Sequence, residues 1–499
     1  MKNILSTLII FLLFTFTILP QSGYFYESGY QIYPDTFMTN PIKTLSIPVL
    51  KEDVKAIGMG KTQIANGKFF NAMMYNPALL NRKRTSFEVL GVQASLPPNT
   101  YNAAHYIQNN RTEFEQAFSL QEVWAGIADF QAAQDINQQL TAVKRIQAGL
   151  KFPYELSTKV IGNSRDPEIH GVRVIPSISA QIDNFGFSLY GVGQSGFRVQ
   201  QSPVIEALLN VELPDYVNNL NDPATQLAIV KLFNILQVAM NENNTVSTEA
   251  LPITYSTSYI DIVGAAGYGL QLNKLLGLGA NLKVIHRRFS ISRVVTMDYN
   301  DILNVLKRDL NSYITGVTLD LGGILTFPTG TEVALSLQNI IPVQKLNSTM
   351  YSDFSYTYYA YKRDSIGNKV LTPQGDTVLQ TINRSANVAN PFDLKVPILV
   401  NIGAIHPINK DWDVALDIYD MAEQDSRFDK YWERLRIGTE YRYSIEENFY
   451  LSARLGMSDL HPTYGLGLNV YNIFQIDAAY AWDNFVDENS IYAQVRFGW

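Results

Sequence analysis

From residue 434 to the end of the chain, apolar residues alternate with polar or small ones in five consecutive stretches. In the first, Leu435, Ile437, Thr439, Tyr441 and Tyr443 alternate with Arg434, Arg436, Gly438, Glu440 and Arg442. The pattern repeats through Phe449–Met457, Tyr464–Val470 and Phe474–Trp482. In the last stretch Ile491, Ala493, Val495, Phe497 and Trp499 share one face. Successive strand side chains point to opposite faces, so each stretch is a strand with one apolar side. Similar stretches near 85–96, 171–182, 184–195, 257–271, 276–289, 315–327, 331–342, 395–408 and 411–420 bring the expected number to 14. Lys151–Val160 is a further candidate strand.

Three interruptions have a helical period. Residues 113–150 carry Phe118, Val123, Ile127 and Phe130 at helical spacing. Residues 203–241 carry Leu227, Val230, Phe233 and Leu236, and residues 299–314 carry Ile302, Leu303, Leu306 and Leu310. Amphipathic helices account for these runs; a plug, a periplasmic cap or an extracellular lid would all accommodate them. Ser348–Asn390, rich in Tyr, Asp, Asn and Thr, reads as a long outward loop with local strand content. Long loops belong on the extracellular side of an outer-membrane barrel, with short turns such as that at Glu446–Asn448 on the periplasmic side.

The chain start decides which sheet architecture is viable. Lys2 precedes an apolar run from Ile4 to Leu19, followed by Gln21, Ser22 and Gly23. This is the layout of an export signal over residues 1–23, with a membrane anchor as the alternative. Among 499 residues there is no Cys, which excludes a lipoprotein, a disulfide framework and thiolate metal sites. After residue 20 no apolar run is long enough for a transmembrane helix. An exported chain held in a membrane without such a helix must close its sheet, because unpaired strand edges cannot be satisfied in lipid. The expected fold is therefore all-β: a transmembrane antiparallel β-barrel of about 14 strands with helical insertions, located in the cell outer membrane. A soluble periplasmic β-protein is the alternative if the chain does not insert.

Composition agrees, with 29 Tyr, 25 Phe and 31 Gly, and the formal charge of -7 gives no reason to expect nucleic acid as a partner. If the apolar faces meet lipid, Arg434, Arg436, Glu440, Arg442, Arg454 and Arg496 look inward, together with Asp411, Asp413 and Asp417. Such charges must be paired or hydrated, as a polar conduction path or as a structural salt-bridge ladder. Enzymatic chemistry finds no footing. The five His residues form no close ligand pair, no nucleophile arrangement is recognisable, and the glycines of Gly316–Gly330 lack the spacing and the Lys of a phosphate loop. No metal, cofactor or catalytic residue is expected.

Two motifs carry a family resemblance. Ala56-Ile57-Gly58-Met59-Gly60-Lys61-Thr62 and Asn76-Pro77-Ala78-Leu79-Leu80 resemble the start of the mature region in the outer-membrane long-chain fatty-acid transporter superfamily. The resemblance is closer to the plasmid-transfer TraF-like outer-membrane proteins and their Bacteroidetes relatives, whose activity is unsettled. Leu319–Gly323 with Val333–Ile340, Ala415–Asp420 and Leu435–Arg442 extend it. It covers residues 55–96 and 315–499 and is thin through the helical inserts. The aromatic closing the last strand also resembles the signal read by the barrel assembly machinery, although Trp499 stands where Phe is usual.

The resemblance implies that residues 24–84 form a hatch-like segment ahead of a barrel spanning 85–499. The hatch role falls on Asn76, Pro77 and Ala78. Pro77 restricts itself and Asn76, whose side chain can cap nearby donors; a turn entering the first strand is the plainer alternative. The expected function is outer-membrane passage of small hydrophobic or amphipathic solutes by a monomer surrounded by outer-membrane lipid. The rival is a non-transporting scaffold or adaptor whose helices or loops bind a protein partner.

Overall fold

The computed structural model describes residues 27–30, 52–67, 72–82, 84–113, 121–162, 168–214, 222–239, 253–295, 313–341, 344–349, 353–361, 379–387, 396–425, 428 and 430–498. The alternating stretches form a 14-stranded antiparallel closed barrel. Its strands are β1 (Arg84–Leu96), β2 (Ile169–Asp183), β3 (Phe185–Gln200), β4 (Ile253–Gln271), β5 (Leu276–Val295), β6 (Tyr313–Thr326) and β7 (Glu332–Gln338). The remainder are β8 (Leu399–Pro407), β9 (Trp412–Ile418), β10 (Leu435–Glu446), β11 (Phe449–Ser458), β12 (His461–Val470), β13 (Phe474–Asp483) and β14 (Glu488–Gly498). Each strand pairs with the next in sequence, and β14 closes on β1 with Val495 opposite Val92 and Ala493 opposite Ala94. Closure leaves no barrel edge for lipid or another chain to meet.

The two ends differ. At one end β2–β3, β4–β5, β6–β7, β8–β9, β10–β11 and β12–β13 are joined by short turns. At the other end lie the long connections between β1 and β2, β3 and β4, β5 and β6, β7 and β8, and β9 and β10. Among the described residues, the α-helices of these connections sit in the first two. The β1–β2 connection holds α3 (Pro98–Asn109), α4 (Gln121–Ala132) and α5 (Ile136–Ile161); the β3–β4 connection holds α6 (Pro203–Leu209) and α7 (Pro223–Ala239). Helices α4 to α7 pack on one another through Val123, Val143, Ile146, Leu208 and Leu232, and α3 packs on α5 through Ala104, Ile107, Leu156 and Val160. The shorter helices α1 (Val54–Gly58) and α2 (Ala72–Tyr75), with a 3-10 turn over Pro77–Arg82, precede β1. No described helix is long and apolar enough to cross a membrane.

Three expectations need correction. Lys151–Val160 is helix, not strand. Val143 and Ile146 are buried against α4, and Leu156 and Val160 against α3, on a helix that runs through the internal Pro153 to Ile161. The strand expected over 331–342 stops at Gln338. There Asn339 turns to a left-handed φ of 57° and its N–H goes to Asp320 Oδ1 at 2.8 Å, leaving the ladder. A separate strand, Gln344–Thr349, then covers the upper part of β6. Of the helix expected at 299–314, Tyr313 and Ile314 begin β6, and the rest lies outside the described residues, as do the export signal and Trp499.

Outward faces are apolar. Leu466 is 67% exposed, and Leu90, Ile178, Leu189, Ile262, Leu282 and Leu455 are also exposed. Exposed Phe185, Tyr268, Phe327, Trp412 and Tyr471 ring the short-turn end, while Tyr431, Trp432 and Tyr464 stand near the other. Inward faces are buried and mostly polar or small from β10 to β14, as the burial alternation of each strand records.

Candidate functional site: the segment inside the barrel and the lumen it divides

Residues 52–67 and 72–82 are buried against the inner wall almost throughout. The first half of the segment starts with a capped helix. Asp53 accepts from the Lys55 amide at 3.1 Å and opens α1. Glycines on both partners then allow backbone-to-backbone approach. A Cβ on Gly465 would strike Gly58 Cα, and one on Gly438 would strike the Met59 backbone. Gly60, at φ 65°, adopts the left-handed turn that lets the chain pass Ile437 and Met457.

Charges fasten this half to the wall. Glu440, fully buried, accepts from Lys55 Nζ at 2.8 Å, Arg454 Nε at 2.9 Å and Arg442 Nη1 at 3.1 Å. Arg442 reaches Asp413 at 2.7 Å, and Arg454 reaches Asp477 at 2.6 Å. Arg496 pairs with Asp53 and with Glu88 at 3.4 Å. Lys61 Nζ meets Asp459 at 2.5 Å. Asp417 accepts the Gln63 and Ile64 amides at 2.6 and 3.0 Å. The Arg436 guanidinium lies 3.9 Å from the Tyr419 ring centroid and donates to the Lys61 carbonyl at 3.4 Å. Removing one member of such buried sets leaves its partners uncompensated, at a cost of about 3–5 kcal/mol.

The second half meets a different wall. Asn76, fully buried, donates from Nδ2 to the Gly323 carbonyl at 3.2 Å, and its Oδ1 caps the Ala78 amide at 3.0 Å. Pro77 and Ala78 lie on Gly279, and a side chain on Gly322 would collide with Asn76. Ser336 and Gln338 donate to the Tyr75 carbonyl at 2.7 and 3.0 Å. Around these contacts two apolar clusters form among buried polar side chains such as Gln181, Ser188 and Asn281. Met73, Met74 and Leu80 pack with Ile175, Tyr190, Val192, Tyr259, Val263 and Ile285 of β2–β5. Ala78 and Leu79 join Ile324, Ala334, Ile405 and Ala415 of β6–β9. Two buried ion pairs on this side close within the wall itself: Arg287 grips Asp261 at 2.6 and 2.7 Å, and Lys283 meets Asp320 at 2.8 Å.

The sequence-selected charges fall in three places. Asp413, Asp417, Arg436, Glu440, Arg442, Arg454 and Arg496 lie on the inward faces of β9–β14 and are brought together with the segment. Arg434 is buried at the long-loop rim, where its Nε faces Asp420 at 3.5 Å. Asp411 is in the β8–β9 turn, half-buried and accepting the Arg442 amide with its carbonyl at 2.8 Å, so it is not part of the wall. Reading the final strands alone overlooked the segment's own Glu52, Asp53, Lys55 and Lys61. It also overlooked Asp261 and Arg287, although the outward Ile260 and Ile262 flanking Asp261 carry the alternation that would have found it.

Below the segment, toward the short turns, a cavity of about 270 Å³ is lined by Lys55, Asn66, Lys410, Arg442, Asn448 and Tyr450, among others. On the opposite side Glu52, Lys61, Arg173 and Arg436 border a void of about 10 Å³, the size of a single water. Among the described residues no group of three or more His, Asp or Glu side chains could hold a metal ion.

No family model matches the chain, and no curated protein sequence does. Solved structures similar to it include the Pseudomonas putida toluene transporter TodX, at 11% identity over 91% of this chain and 98% of that one, with a TM-score of 0.39. The Ralstonia pickettii toluene transporter TbuX is similar at 10% identity, over 91% and 98%, with a TM-score of 0.41. A Pseudomonas aeruginosa FadL homologue is similar at 8% identity, over 91% and 98%, with a TM-score of 0.36. Likeness at these scores carries no argument about this chain's residues or activity, and the architecture stands on its own strand pairing.

Proposed function

We propose that this chain is an outer-membrane channel for small hydrophobic or amphipathic solutes, with residues 52–82 as its hatch. The observation that carries the reading is the division of the lumen. A solute would travel beside Met73, Tyr190, Tyr259 and Val263, where apolar side chains meet across the interior, while the ion-paired side holds the hatch in register. The apolar outer belt with aromatic residues toward both ends supports a membrane setting. The resemblance of Ala56–Thr62 and Asn76–Leu80 to the fatty-acid transporter superfamily falls on this same interior segment. Asn76, Pro77 and Ala78 would seat the hatch against β5 and β6.

The extent of the polar fastening favours a second reading, in which the barrel is a plugged scaffold. Its helical face, with exposed Trp124 and Phe152, would then hold a protein partner. Liposomes separate the two. Purified protein should give uptake of a fluorescent fatty acid and exclude a small polar dye. Passage of both would make it a general pore; passage of neither, with insertion verified, would leave the scaffold.

A further inference from the structure

We infer that the polypeptide is threaded through its own barrel, entering from the long-loop end and leaving at the short-turn end, so that the strand Glu27–Tyr30 is displayed outside the cell. The exit is fixed by covalent continuity. Arg82 pairs with Glu332 at the short-turn end of β7, and β1 starts there with Arg84 opposite Asp183. The entry is at the other end. Glu52 meets Arg173 at 3.2 Å and shares the small void with Asp483, Asn484 and Phe485, which belong to the long-loop end of β13 and the connection after it.

A second, independent contact places Glu27–Tyr30 farther out. The strand Glu27–Tyr30 pairs in parallel with Asp353–Tyr361, which itself pairs with Leu379–Asn387. Both partners belong to the β7–β8 connection, at the long-loop end. A chain held at Tyr30 on that side, at Glu52 inside the upper lumen and at Arg82 below has crossed the barrel from end to end.

Threading constrains the proposed channel. A plug tethered at both ends cannot be expelled as a unit, so opening is a local displacement of its second half from the apolar wall. That Glu27–Tyr30 faces the outside rests on the channel reading, which sets the long loops extracellular.

The absence of Cys from the native chain makes single-cysteine labelling direct. Ser28→Cys would be compared in cells with Lys151→Cys on α5, a long-loop marker, and Lys410→Cys in the β8–β9 turn, a short-turn marker. A membrane-impermeant maleimide is applied before and after outer-membrane permeabilisation. Threading predicts that Ser28→Cys labels in intact cells together with Lys151→Cys, and that Lys410→Cys labels only after permeabilisation. Ser28→Cys following Lys410→Cys, or labelling under neither condition, overturns the inference. If the two markers exchange behaviour, the orientation falls while threading is still judged by which marker Ser28→Cys follows.

Discussion

The two sides of the lumen hold the same segment by opposite means. Along β9–β14 the wall offers charges that are incomplete without the segment: Glu440 takes Lys55, Arg496 takes Asp53, and Asp459 takes Lys61. Along β2–β6 the wall pairs most of its charges internally, Asp261 with Arg287 and Lys283 with Asp320, reaches the segment with one charge, Arg173 to Glu52 at the long-loop end, and otherwise presents apolar side chains, glycines and a few donors. Buried ion pairs are directional and costly to break singly, whereas apolar contacts can slide and accept a new apolar neighbour. One side is built as an anchor, and in the proposed channel the other is the surface that a greasy solute would share.

The sharpest way to break this contrast is Glu440→Ala. It leaves Lys55, Arg442 and Arg454 without their shared acceptor and should cost about 3–5 kcal/mol in denaturant unfolding of the detergent-solubilised barrel. A loss below 1 kcal/mol would mean that the anchor is illusory. Next is the outer face. Leu466→Arg should destabilise by about 2–4 kcal/mol in lipid if that residue sits near the bilayer midplane, and far less if the belt faces water. On the apolar side a paired comparison sharpens the account. Tyr259→Phe removes a hydroxyl that donates to Gln194 Oε1 at 2.5 Å and should cost about 0.5–1.5 kcal/mol. Tyr190→Phe removes a buried hydroxyl with no hydrogen-bond partner among the described residues and should be neutral or stabilising by about 1 kcal/mol.

The smallest effect belongs outside the barrel. Arg145, through a hydrogen bond and its charge, holds the exposed Glu122 carboxyl below its ordinary range. This contribution is present above the ordinary carboxylate pKa and lost as pH falls through the lowered one. Glu122→Gln should flatten that acid dependence in the helical cap and leave barrel unfolding unchanged.

Strand alternation made the barrel legible because a two-residue period with one lipid-like face survives in every wall segment, even where Gly or Ser fills the inner position. It was silent where the chain leaves the ladder: nothing in Leu337–Pro342 announces that Asn339 will turn left-handed. The inward charges of the final strands were legible for the same reason, but their partners were not. Lys55 and Glu440 lie 385 positions apart, and no local period joins them. Even the glycines were readable only as a composition until the segment was seen lying on Gly279, Gly322 and Gly438.

The central claim, that solutes pass only when the segment moves from the apolar wall, is most directly tested by a reversible lock. A Cβ on Gly322 falls beside the Asn76 side chain, so Asn76→Cys with Gly322→Cys brings two sulfurs within disulfide reach in a chain that has no other Cys. In liposomes the oxidised double variant should lose fluorescent fatty-acid uptake and regain it on reduction, with a polar dye excluded throughout. Uptake that continues unchanged with the disulfide closed would contradict the account.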